Sequence, residues 1–216
     1  ITGTRYSYIA MVFDADHDGD DDLFEGNDFG LNVLWRNEDG RFVADEALGF
    51  DGVSANTMGA TLADLDADGR WDLYVSNMSS EEGMRMGPLA DGLDARAREV
   101  VEVIAHGNVL YSEGAPGARW DERARCLGIH EGEWAWGCQF FEPFADGALG
   151  LVVTNGFTSH RDRSRRDWEP YNWRQVIEDA RALQEGRPSA DENADAPRFQ
   201  GSFNGYERDR LFVSTD

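Results

Sequence analysis

Carboxylates recur at alternate positions in two nine-residue stretches, Asp14 to Asp22 (DADHDGDDD) and Asp64 to Asp72 (DLDADGRWD), which start fifty residues apart. Both read D-x-D-x-D-G-x-x-D. Acidic side chains at every second position converge on one side of a tight loop, and the glycine lets the backbone turn around an ion. Oxygen donors without clustered Cys or His suit Ca²⁺ rather than Zn²⁺ or copper. In the first loop Asp14, Asp16, Asp18 and Asp22 are expected to supply side-chain oxygens, and Asp20 its backbone carbonyl. The equivalents in the second are Asp64, Asp66, Asp68 and Asp72, with the carbonyl of Arg70. A solvated acidic turn explains one such stretch. Two in a repeated frame predict two Ca²⁺ sites.

The elements that position these loops repeat with them. An apolar run enters each acidic loop (Ile9 to Phe13; Gly59 to Leu65), and a second leaves it (Leu23 and Phe24; Leu73 to Val75). A third starts at Asn-Val-Leu-aromatic, Asn32 to Trp35 and Asn108 to Tyr111. A fourth follows a Gly-rich turn, at Arg41 to Val43 and Arg119-Trp120. An eroded third copy spans Trp136 to Gly156, with Trp136 to Phe141 and Leu151 to Val153 as its first two strands. Aligning Gly147 with Gly19 and Gly69 puts Glu142, Phe144, Asp146 and Gly150 at the ligand positions. Two carboxylates remain there and Pro143 stiffens the turn, so this loop is expected to be metal-free and held by packing around Phe144. Short strands repeating at a fixed frame point to a radial array of sheets, a β-propeller, more than to a sandwich.

The acidic loop followed by Leu-aromatic-Val, an Asn-containing strand end and N-x-L-Y/W-R-N-x-D-G-x-F resembles the FG-GAP/VCBS repeats of calcium-binding β-propellers. Asn27-Asp28-Phe29-Gly30, Ser76-Asn77-Met78, His106-Gly107-Asn108, Trp134-Ala135-Trp136-Gly137, Asn155-Gly156-Phe157 and Asn172-Trp173-Arg174-Gln175-Val176 are similar to bacterial relatives of cartilage acidic protein. The resemblance extends over nearly the whole chain and implies a propeller fold and Ca²⁺ binding. It implies no reaction. Two departures are the lost ligands of the third loop and the lack of the ASPIC/UnbV segment that usually follows such propellers.

The expected architecture is all-β with helical insertions, a partial propeller of about three four-stranded blades within residues 1–216. Blade one is placed at about 6–50, blade two at about 58–130 with a helix in 91–106, and blade three at about 134–216 with a helix in 171–186. The helices follow from apolar residues at helical spacing: Leu93, Ala97, Val100, Val101 and Ile104, then Trp173, Val176, Ile177, Ala180 and Leu183 before Gly186. Their stripes are expected to dock on the same chain. The segment 189–197 (SADENADAP) reads as a mobile loop. Leu211 to Val213 reads as the third strand of a blade whose fourth is missing. Closed propellers have roughly four to eight blades, so the chain is expected to be a piece of a larger propeller or a subunit that others complete.

A formal charge of −22, from 42 acidic and 20 basic residues, opposes nucleic-acid phosphates and anionic lipid surfaces. Every basic residue is Arg, and the one basic cluster is RDRSRR at 161–166. Cys126 and Cys138 bracket the passage from blade two to blade three; a disulfide and two free thiols both remain open. The histidines are scattered: His17 is expected to point outward from its loop, and His106 to cap a helix end as a partly cationic imidazole. No catalytic triad order or phosphate loop appears. Trp134 and Trp136 are expected in the core, while Trp168 and Tyr171 suit a carbohydrate surface. The reading is a non-catalytic, Ca²⁺-binding module, exported to the periplasm or cell exterior, that binds another protein or neighbouring blades. Part of a carbohydrate-active or other hydrolytic enzyme, or an accessory subunit of a membrane-associated assembly, are the alternatives.

Overall fold

The computed structural model describes residues 7–28, 32–45, 56–78, 91–95, 98, 101, 106–156, 174, 177–178, 180–182, 184–186 and 207–213. Eleven strands among them form three antiparallel meanders. The first sheet runs β1 (Ser7–Phe13), β2 (Asp22–Asn27), β3 (Val33–Glu38) and β4 (Arg41–Asp45). The second runs β5 (Thr57–Ala63), β6 (Asp72–Asn77), β7 (Val109–Glu113) and β8 (Trp120–Glu122). The third has β9 (Ala135–Phe141), β10 (Gly150–Asn155) and β11 (Arg210–Val213). The first strands of successive sheets, β1, β5 and β9, lie side by side, as in a partial β-propeller. β11 pairs with β10 although the two strands are far apart in sequence.

Local chemistry sets the meander. The β3–β4 connection is a two-residue hairpin turn at Asp39 (φ 53°) and Gly40 (φ 88°), between the paired residues Glu38 and Arg41. Two positive-φ residues in succession match the right-handed twist of the flanking strands. Asn37 secures the turn by accepting a bond from the Gly40 N–H at 2.8 Å.

Blade two is the middle layer and is buried on both faces. Leu73 and Val75 of β6 join Val109, Tyr111 and Trp120 in packing onto Phe13, Phe24 and Leu34 of blade one. Tyr74, between them, turns the other way with Leu110 and meets Phe140, Leu151 and Val153 of blade three. The middle of a strand with a sheet on either side is apolar on both faces, and so Leu73, Tyr74 and Val75 form a continuous apolar run within β6. Ring contacts mark both junctions, Phe13–Trp120 with centroids 5.9 Å apart and Tyr74–Phe140 at 6.0 Å.

Both expected helical insertions contain helical residues: 95, 98 and 101 in the first, and 174, 177–178, 180–182 and 184 in the second. Leu93, Val101, Ile177 and Ala180 are buried, as the stripes require, and so is Ala182. Ala97, Val100, Ile104, Trp173, Val176 and Leu183 lie outside the described side chains. Gly186, with φ 65°, follows the second helix as a left-handed cap. The insertions meet each other: Gln184 accepts from the Asp94 N–H at 2.8 Å, and Arg181 donates to the Asp91 carbonyl at 2.8 Å.

Cys126 and Cys138 are both free, which closes the disulfide alternative. Burial pushes the Cys138 thiol up to about 11. Trp134 and Trp136 are half-buried rather than in the core as expected, while 161–166, Trp168, Tyr171 and 189–197 lie outside the described residues.

Blades two and three approach closely at Gly59, where a Cβ would sit 2.7 Å from Ser76 Oγ, 3.1 Å from Gly137 Cα and 3.3 Å from Cys138 N. Two of these atoms are backbone and cannot rotate away. Gly59→Val is therefore expected to lower the unfolding free energy by about 1–3 kcal/mol in urea titration. Unchanged stability would mean that β5 and β9 do not pack this tightly.

Candidate metal centre

Each strand pair β1–β2, β5–β6 and β9–β10 is joined by the same turn. Its fourth residue has a positive φ although it is not glycine: His17 (64°), Ala67 (57°) and Ala145 (54°). Two residues on, Gly19 (95°), Gly69 (84°) and Gly147 (87°) occupy the same region. Such angles strain a residue that carries a Cβ. Local hydrogen bonds compensate. The leading acid accepts from the glycine N–H in every copy: Asp14 at 3.1 Å, Asp64 at 2.9 Å and Glu142 at 2.5 Å. The fifth residue accepts two positions on, Asp18 from Asp20, Asp68 from Arg70 and Asp146 from Ala148, at 2.9, 2.9 and 3.0 Å.

The first two turns also gather carboxylates. Oxygens of Asp14, Asp16 and Asp18 all lie within 4.8 Å of one another, as do those of Asp64, Asp66 and Asp72. Among the described residues no third group of three His, Cys, Asp or Glu side chains converges in this way. The last acid has a second task. Asp22 accepts from the N–H groups of Ala15 and Asn37, each at 2.8 Å, and Asp72 accepts from Leu65 at 2.8 Å. These bonds tie the loop's exit to its entrance and, in blade one, to β3. Asp68 pairs with the Arg70 guanidinium, which sets it apart from the converged three.

Both clusters contain carboxylates that burial shifts toward the protonated form. Burial, then the charges of Asp22 and Asp18, raises the Asp16 carboxyl above the ordinary range. Burial raises Asp22 as well, against the N–H bonds of Asn37 and Ala15, and Asp72, against the Ser112 side chain and then the Leu65 N–H. Asp14 Oδ1 is buried without a hydrogen-bond partner. An all-oxygen donor set with a buried, unsatisfied carboxylate oxygen fits a hard divalent ion.

Three expectations need correction. His17 does not point outward: its Nε2 lies 2.6 Å from Glu113 Oε2 at the end of β7, across the junction between blades. Arg70 of the second loop reaches the same carboxylate, with Nε 3.8 Å from Oε2 and Nη2 3.4 Å from the Glu113 carbonyl. Glu113, fully buried, thus links the two acidic turns. Phe144 does not organise the third loop by packing, since it is 67% exposed. The turn keeps its shape through the N–H bonds to Glu142 and Asp146 instead. His106 is not a cationic cap, because burial and then the Arg125 charge lower its pKa.

A second polar network closes the opposite end of the blades. The Asn27 N–H donates to Asn32 Oδ1 and the Asn77 N–H to Asn108 Oδ1, both at 2.8 Å. The Thr57 hydroxyl lies between them, 3.0 Å from Asn32 Oδ1 and 2.9 Å from Asn77 Oδ1. In blade three Asp209 takes the Asn position and accepts from the Asn155 N–H at 2.9 Å. The asparagine closing each second strand is the sequence signal for this network; Glu113 has no comparable signal. Glu113→Ala removes the shared acceptor of His17 and Arg70. It is expected to cost about 1–3 kcal/mol in chemical denaturation. A neutral effect would show that the link between the turns is not energetic.

Residues 14–75 match the family model described as the FG-GAP-like repeat. The match runs from the first acidic turn through β2, β3, β4 and β5 to the second turn and into β6. No curated protein matches the chain.

Proposed function

We propose that this chain is a non-catalytic, Ca²⁺-stabilised blade array that serves as an interaction module outside the cytoplasm. The observation that carries the reading is the pair of three-carboxylate clusters on identical turns, within the span that matches the FG-GAP-like repeat. Such repeats are generally interaction modules and often bind calcium. The ligands assigned to the ions are Asp14, Asp16 and Asp18 in one turn and Asp64, Asp66 and Asp72 in the other. Asp22 and Asp68 hold the turns in shape, and the carbonyls of Asp20 and Arg70 complete the oxygen set.

The ion's part is structural. Converged carboxylates repel one another, and a divalent cation turns that repulsion into attraction at the point where the chain passes from first to second strand. Because the His17–Glu113–Arg70 link lies beside both turns, ordering them also steadies the junction between blades one and two. An extracellular setting suits this arrangement, since free Ca²⁺ there reaches the level that weak acidic loops require. Among the described residues, no helix is long and apolar enough to cross a membrane.

Calorimetric titration with Ca²⁺ tests the reading. Two ions per chain are expected, with dissociation constants on the order of 10⁻⁴ to 10⁻³ M. Asp16→Asn and Asp66→Asn should each reduce the count to one, and the melting temperature should rise with Ca²⁺ in the parent chain. Asp146→Asn should leave uptake at two. No uptake by the parent chain, or equal loss from all three substitutions, would overturn the assignment.

A further inference from the structure

The frame of the repeat singles out one side chain. Strand register equates Asn37 of β3 with Glu113 of β7: Asn37 pairs with Phe42 as Glu113 pairs with Trp120, and Trp35 pairs with Leu23 as Tyr111 pairs with Leu73. Asn37 serves its own blade. Its N–H donates to Asp22 at 2.8 Å, its Nδ2 donates to the Asp21 carbonyl at 3.1 Å, and its Oδ1 accepts from the Gly40 N–H. Glu113 puts a carboxylate at the same position of blade two, and its side chain is fully buried. A buried charge is costly unless it is paired.

Its partners come from both acidic turns. Oε2 lies 2.6 Å from His17 Nε2, between Asp16 and Asp18 of the first turn, and 3.8 Å from Arg70 Nε of the second. Arg70 also donates to the Glu113 carbonyl at 3.4 Å and pairs with Asp68. Oε1 is buried without a hydrogen-bond partner, so compensation of the charge falls on Oε2 and these two contacts. Neither turn can carry its side chain away without leaving the carboxylate less well paired, and removing one partner of a buried charge is strongly destabilising. The state with both turns seated is favoured over a state with one.

We propose that Glu113 is a positioning residue that couples the two turns, so that Ca²⁺ bound at one raises the affinity of the other. An ion held by Asp14, Asp16 and Asp18 orders the first turn and fixes His17 against Oε2. Glu113 is then held where the Arg70 guanidinium meets it. Arg70, whose backbone carbonyl is assigned to the second ion, loses less freedom when Asp64, Asp66 and Asp72 close on that ion. Ordering done by the first ion need not be repeated by the second, and by linkage the effect is reciprocal. Bare repulsion between two divalent ions acts in the opposite sense and is screened by salt, so the sign of the coupling separates the two routes. This inference rests on the ion assignment and adds a regulation to it.

Calorimetric titration of the parent chain, Asp16→Asn and Asp66→Asn with CaCl₂ tests the proposal. Each substitution leaves one site, and the two association constants multiply to the value for independent sites. The product measured on the parent is expected to exceed it by about fivefold or more. In a Glu113→Gln background the same comparison should show no excess. His17→Asn, which keeps a residue tolerant of positive φ, removes the first contact alone and repeats the design, should Glu113→Gln lack parent-like circular dichroism. The excess is a ratio taken within one background, so a loss of stability in a folded chain does not by itself change it. Two ions bound independently, or the second more weakly, refute the coupling and leave the ion assignment standing. An excess that survives both substitutions overturns the role of Glu113. No uptake by the parent chain overturns the coupling and the ion assignment together.

Discussion

Repulsion among carboxylates crowded at two turns is the constraint on which the rest of this structure depends. Oxygens of three acids within 4.8 Å at each site repel by on the order of a few kcal/mol per pair before salt screening. Backbone N–H groups offset part of it, and they do so by fixing the turn: Asp14 and Asp64 each hold the glycine that follows. The strain of a non-glycine residue at positive φ is accepted for the same geometry. The third turn isolates the backbone's share. It has the same angles and the same N–H bonds without a third acid, so the turn itself needs no cluster. The acids of the first two are there for something more than folding the loop.

From the turns outward, each blade is stabilised at three levels along its length. The acidic end fixes the passage from first to second strand. The middle is apolar packing, and blade two carries most of it because it has a neighbour on either side. The far end is the row of buried Asn and Thr groups that satisfies the backbone where the strands stop. Buried N–H groups left unpaired would cost more than these side chains cost to order. Glu113 connects the first level across blades by bonding His17 and lying beside Arg70.

Much of this was legible in the residues. Strand order and the four-strand meander follow from apolar runs and turn signals, and Asp39-Gly40 is a hairpin turn on sight. Leu211 to Val213 was recognisable as a third strand because it is a short apolar run of strand-forming residues. The acids were legible as groups, but which of their oxygens converge was not. Asp22 and Asp68 share the spacing of the others, yet they stand outside the two converged groups of three. Which oxygen converges is set by the strands, not by the motif. His17 departs from its expected direction for a related reason: the group it meets, Glu113, belongs to the next blade, and a local pattern contains no information on that neighbour.

Amide hydrogen exchange with and without Ca²⁺ tests the central claim most directly, because it reads all three turns in one molecule. The account predicts that Ca²⁺ slows exchange across 14–22 and 64–72 and in the ends of β1, β2, β5 and β6 that flank them, while 142–150 is unchanged. Equal protection at all three turns, or none at any, would contradict it.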